Sequence, residues 1–215
     1  MEYLIPALVL GLKHSFDADH LLAVSNLLVK SKSLGETLRL SASWTLGHMG
    51  GAAIVTVLLY ISKDSLLPFL FGQLETIVAL MLVAFGLFGL AQAFTLHAHE
   101  HGHGKGAHTH AHSHLQGREK DHAHEHIFGI GIIQGLASND ELLMLLSVML
   151  GLATLGDMVA GVAFFSIGVF MGMVAFGAAF TIPLLRSRRA ALGRAVNGII
   201  GILSVWWGLM MLAGS

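Results

Sequence analysis

Six stretches of this chain, residues 3–28, 38–61, 68–94, 127–152, 158–182 and 192–213, are apolar over the length of about 20 residues that a helix needs to cross a hydrocarbon core. They predict an all-α integral membrane protein with six transmembrane helices. The charged fraction agrees, at 12% with a mean hydropathy of +0.73, where a soluble domain carries roughly 25% charged residues. The first residues, Met1-Glu2-Tyr3, lack a basic region and a cleavage signal and read as the start of the first span. A lipid bilayer is therefore an expected partner. A nucleic acid is not, because the net charge is -1 and no basic stripe runs along the chain.

Basic residues set the expected orientation. The loops after the first, third and fifth spans hold Lys30, Lys32 and Arg39, then Lys105, Arg118 and Lys120, then Arg186, Arg188, Arg189 and Arg194, whereas the other side has Lys63. Positive charge stays on the cytoplasmic face, so both termini are expected outside the cell membrane and the third loop inside. Shifted by 121 positions, Asp19, Leu21 and Leu22 fall on Asp140, Leu142 and Leu143, and Gly47 and Gly51 fall on Gly168 and Gly172. One further position lays Val83, Gly86 and Leu87 on Val205, Gly208 and Leu209. Three spans per half force opposite orientations, the inverted-repeat plan of many secondary transporters. The expected division is a first repeat at 1–95, a loop at 96–126 and a second repeat at 127–215. The small-residue pairs Gly47-x-x-x-Gly51 and Gly168-x-x-x-Gly172 suit close helix packing, which is expected to bring His48 towards the first span.

Within the first span stand Lys13-His14-Ser15-Phe16-Asp17-Ala18-Asp19-His20. Ionisable groups at bilayer depth cost from about 2.5 to over 10 kcal/mol and persist where they bind, pair or carry something. At 1.5 Å per residue His14 lies roughly 15 Å into the span, near the midplane. On a straight helix His14, Asp17 and His20 share a face and Asp19 points away. Either Asp19 serves another contact, or the helix unwinds here. Imidazole and carboxylate, in a chain without cysteine, suit divalent first-row metals. The plainer reading is a buried His–Asp pair that only stiffens the bundle. In the fourth span Asn139, Asp140 and Glu141 read as a second pathway site, a proton relay or interfacial residues.

Residues 97–126 hold eleven of the fourteen histidines: His97, His99, His101, His103, His108, His110, His112, His114, His122, His124 and His126. The tract has too little apolar surface to offset ordering entropy, which predicts disorder without a ligand. Its many imidazoles suit accessory metal binding, whether to buffer, deliver or sense the ion.

The pattern His14-x4-Asp19-His20, in the fuller form His-Ser-Phe-Asp-Ala-Asp-His, resembles the HX4DH signature of the nickel/cobalt transporter family. Leu46-Gly47-His48 is similar to that family's second motif, and Asn26 fits the Asn downstream of the first. Ser25 stands where the family has an acidic residue, residues 135–141 match only loosely a further Asp-Thr-Ala-Thr-Glu motif, and six spans replace the usual eight. The histidine tract is similar to that of efflux relatives, and short relatives associated with urease maturation are similar too. The resemblance implies that His14, Asp17, Asp19, His20 and His48 select and pass Ni²⁺ or Co²⁺, with uptake as the first reading and efflux as its alternative. It implies no catalytic cofactor, and it leaves a metallochaperone or a second copy of the chain as candidate partners. A membrane-embedded metal-dependent hydrolase is the rival from another class, but His-Glu-x-x-His is missing. No phosphate-binding G-x-x-x-x-G-K-[ST] is present either, so no enzymatic activity is expected.

Overall fold

The computed structural model describes residues 3–62, 67–95, 97–102, 107–112, 123–137, 141, 142, 144, 145, 154–187 and 190–214. Its helices are α1 (Leu4–His14), α2 (Ala18–Leu28), α3 (Leu34–Ser62), α4 (Leu67–Thr95), α5 (Ala123–Ala137), α6 (Leu155–Ser187) and α7 (Ala190–Gly214). Residues 141, 142, 144 and 145 are helical as well. Among the described residues three segments, Gln73–Phe94, Gly156–Ser187 and Ala191–Gly214, are long and apolar enough to cross a membrane, while Leu4–His14 and Ile127–Ala137 are shorter apolar helices. Large apolar side chains such as Ile5, Leu46, Phe94 and Trp206 are exposed, as they are where lipid replaces water around a bundle.

The first predicted span is not one helix. α1 stops at His14 and α2 starts at Ala18, so the backbone unwinds within the motif. α3 begins ahead of the predicted residue 38 because Ser33 caps its first turn and Glu36 reaches back to the chain just before it. The Ser33 Oγ accepts from the Glu36 amide at 3.2 Å, and the Glu36 carboxylate accepts from the Lys32 amide at 2.8 Å. A reciprocal capping box starts α6, where the Thr154 Oγ1 accepts from the Asp157 amide and the Asp157 carboxylate accepts from the Thr154 amide at 3.0 Å. Satisfied amides at these ends let both helices begin earlier than their apolar runs.

Glycines set the closest helix pairs. A Cβ on Gly47 or Gly51 would overlap the backbone of α5 at Phe128 and Ile132, and one on Gly131 or Gly135 would overlap α3 at Trp44 and His48. The Gly47/Gly51 face thus packs on α5, and His48 nonetheless stands beside the first span as expected, 5.3 Å from His14 and 4.9 Å from His20. A second pair is built alike: a Cβ on Gly11 would overlap Phe165, and one on Gly168 would overlap Leu8. Gly131 follows Gly11 by 120 positions, and Phe165 follows Trp44 by 121. Where α4 crosses α7, Gly86 meets Val205 and Gly208 meets Val83. A buried cluster including Leu28, Trp44, Leu142, Met158, Phe165 and Met173 fills the space between α2, α3 and α6.

The strands β1 (His97–Gly102) and β2 (Ala107–His112) form an antiparallel hairpin that pairs His97 with His112, His99 with His110 and His101 with His108. Its residues lie in the tract whose composition predicts disorder. Histidine at every second position has the period of a strand, which is the local reason the backbone can pair. Residues 113–122, with His114 and His122, and also His103, lie outside the described residues.

Candidate metal centre

The centre is built on the break between α1 and α2. The last turn of α1 tightens, with the Phe16 amide donating to the Lys13 carbonyl at 2.9 Å and the Asp17 amide to the His14 carbonyl at 3.0 Å. Asp17 is then extended, at φ -65° and ψ 145°, and opens α2. Ser and Asp compete with the backbone for hydrogen bonds and suit such a site better than a helix interior. Ser15 donates its hydroxyl to the Leu12 carbonyl at 2.7 Å. It fits because Gly172 of α6 faces it, where a Cβ would overlap the Ser15 Oγ.

The break turns two consecutive helix ends towards the same point. His14 closes α1 and His20 lies in the first turn of α2, with ring centroids 4.6 Å apart. His48 comes from α3 and stands 5.3 Å from His14 and 4.9 Å from His20. All three are at most 1% exposed. Each offers a nitrogen within 4.8 Å of the others, a spacing that can hold one metal ion. Among the described residues His14 Nε2, His20 Nε2 and both nitrogens of His48 find no hydrogen-bond partner, though all four are buried. Buried polar atoms are nearly always paired, so four orphans at one point need an explanation.

The opposite nitrogens of two of these rings are occupied. His20 Nδ1 meets Asp19 Oδ1 at 2.9 Å, and His14 Nδ1 meets Asp17 Oδ2 at 2.8 Å and Glu141 Oε2 at 3.0 Å. A carboxylate on Nδ1 fixes the tautomer that leaves Nε2 free as a ligand and makes that nitrogen more basic. Asp17 and Asp19 therefore sit behind the imidazoles rather than among them. Both sequence alternatives for Asp19 hold at once, since the helix unwinds and Asp19 has another contact.

Aromatic rings close the centre. The indole of Trp44 lies against His48 at 5.1 Å and 17°, and meets His20 edge-on at 5.1 Å. Phe165 stands 5.3 Å from His14. Gln134 of α5, wholly buried, accepts from the Trp44 Nε1 at 2.7 Å and donates to the Asp19 carbonyl at 3.2 Å. It ties the start of α2 to α3. Trp44 and Gln134 were missed as site residues. The signal was there, because Trp44 is one helical turn before His48 and a glutamine inside an apolar run needs a partner.

Of the other predicted residues, Glu141 reaches the centre and is shared between His14 and Lys13, whose Nζ lies 2.7 Å from Glu141 Oε1. Asn26 does not reach it; its amide donates to the Ser204 hydroxyl of α7 at 2.7 Å and to the Leu22 carbonyl at 2.8 Å. Asn139 and Asp140 lie outside the described residues. His124 and His126 fall in the first turn of α5. An open cleft of about 450 Å³ leads to His14 and is lined by Asp17, Asp19, Glu75, Glu141 and Trp207.

Over 202 residues the chain is 27% identical to the urease accessory protein UreH of Bacillus sp. (strain TB-90), across 94% of this chain and 86% of that protein. No family model and no solved structure matches it.

Proposed function

We propose that this chain is a multi-pass membrane permease that carries Ni²⁺ or Co²⁺ through the His14–His20–His48 centre. One observation carries the reading: three buried imidazoles converge with unpartnered nitrogens, and two of them are oriented by carboxylates on the far side. Neutral imidazole is a good ligand for these ions and a poor one for Mg²⁺ or Ca²⁺. The ion sheds water as the three nitrogens replace it, with Asp17 and Asp19 compensating its charge from behind. A transport site must also release its cargo, which requires that the ligand set change during the cycle.

The recurrence of the same contacts 120 to 122 positions apart supports two inverted three-span repeats around this centre. His14 faces Phe165 as Gln134 faces Trp44, and the four positions are related by that shift. In this plan the six spans rock as two halves about the midplane, both termini lie outside, and the histidine tract is a cytoplasmic accessory. Uptake is the direction proposed, and the likeness to a protein described as a urease accessory protein accords with a role in metal supply.

Purified protein in liposomes, with radioactive Ni²⁺ outside and no other protein present, tests the reading. Uptake or release should be metal-dependent and lost in His14→Ala, His20→Ala and His48→Ala, all three of which should still insert, because removing a polar group does not oppose insertion. Wild-type flux in those variants would overturn the assignment of the centre.

A further inference from the structure

The cleft and the buried centre meet at His14, and each faces a different nitrogen of its ring. Nδ1 lies 2.8 Å from Asp17 Oδ2 and 3.0 Å from Glu141 Oε2 on the cleft side, whereas Nε2 belongs to the buried side. His14, Asp17 and Glu141 offer ligand atoms within 4.8 Å of one another. A cation already sits there. The Lys13 ammonium is 2.7 Å from Glu141 Oε1, on a side chain that is 68% exposed and therefore free to leave. Asp19 and Glu75 add two more carboxylates to the cleft wall, a setting that concentrates cations.

We propose that His14, Asp17 and Glu141 form a second metal station at the floor of the cleft, and that Lys13 is its tethered occupant, displaced when a divalent cation arrives. This rests on the permease reading. In the cleft the incoming ion keeps part of its water and binds two carboxylate oxygens and Nδ1; it then passes to Nε2 and the two deeper imidazoles. Lys13 returns to Glu141 once the ion has moved inward. The carboxylates are then never left without a cation, and a monovalent ion has to compete with a charge already fixed in place.

The test uses full-length protein in detergent with Co²⁺, whose visible spectrum distinguishes a tetrahedral nitrogen-rich site from a six-coordinate oxygen-rich one. Wild-type protein should show the tetrahedral band. The double variant His20→Ala/His48→Ala, which lacks the buried centre, should still bind one Co²⁺, now weak in absorbance and six-coordinate. In that background Lys13→Met should tighten binding roughly tenfold by removing a competing charge, Lys13→Arg should leave it near the starting value, and Glu141→Gln should abolish it. A folded double variant that binds no Co²⁺ even with Lys13→Met overturns the second station while leaving the buried centre standing. Equal affinity with and without Lys13 overturns its role as occupant. Absence of any Co²⁺ band in the wild type overturns the permease reading itself.

Discussion

His48 lies on the face of Trp44, its ring 5.1 Å from the indole and inclined by 17°. Both nitrogens of His48 lack a hydrogen-bond partner among the described residues, so the indole, rather than a carboxylate, holds this imidazole in place. Trp44 is itself anchored through Gln134. Replacing Trp44 by Phe keeps an aromatic face but leaves the Gln134 oxygen unpaired in a buried place, which costs about 1–3 kcal/mol. Metal affinity should fall by about 10-fold, and Ni²⁺ should quench wild-type tryptophan fluorescence more than that of Trp44→Phe. Equal quenching in the two proteins would place the ion near Trp206 and Trp207 instead.

Asp19 and His20 supply the second expected outcome. Asn in place of Asp19 keeps the size and one acceptor but removes the charge that faces His20 Nδ1 at 2.9 Å. Affinity for Ni²⁺ should drop about 10- to 100-fold, the usual loss when a ligand's supporting carboxylate is removed. Isothermal titration of Ni²⁺ into the two purified proteins reads the difference, and equal affinities would remove Asp19 from the support of the centre.

The glycine contacts make the third. Any Cβ at Gly135 meets the backbone of His48, which cannot give way without moving the ligand. Gly135→Val should lower the melting temperature in detergent by an amount in keeping with about 1–3 kcal/mol of overpacking, and should reduce flux as well. Gly50→Ala, where nothing lies within 4 Å of the added atom, should leave both unchanged.

Orientation gives the fourth. The chain has no cysteine, so Ser113→Cys introduces the one thiol. In intact cells it should resist impermeant thiol reagents and react after lysis, as the distribution of Lys and Arg requires. Replacing residues 99–124 with a Gly/Ser linker should change rate by a modest factor and leave metal preference intact. Loss of nickel preference in the linker variant would transfer selectivity from the helices to the tract.

The motif histidines were legible because polar residues in an apolar run stand out, and the break was legible as one of two options because Asp19 points the wrong way on a straight helix. The packing partner of Gly47 and Gly51 was not. Small residues four apart announce a close approach without naming the helix that approaches, and here that helix is α5. Glu141 was legible only as one of three polar residues with three readings. Its place follows from contacts across 127 and 128 positions of chain, with His14 and Lys13, a separation that no local pattern encodes. The early starts of α3 and α6 were written in Ser33-x-x-Glu36 and Thr154-x-x-Asp157, polar signals that an apolar window passes over.

The interruption at Ser15–Asp17 gives His14 and His20 different anchors. α1 lies along α6, and α2 touches α7, α4, α6 and α3. The two imidazoles are only six residues apart in the chain, yet they are fastened to separate parts of the bundle. A shift of α6 against α7 therefore acts directly on the 4.6 Å gap between their rings. In the proposed permease the joint would work as a pair of tongs, its grip on an ion set by the same displacement that would open one side of the bundle and close the other.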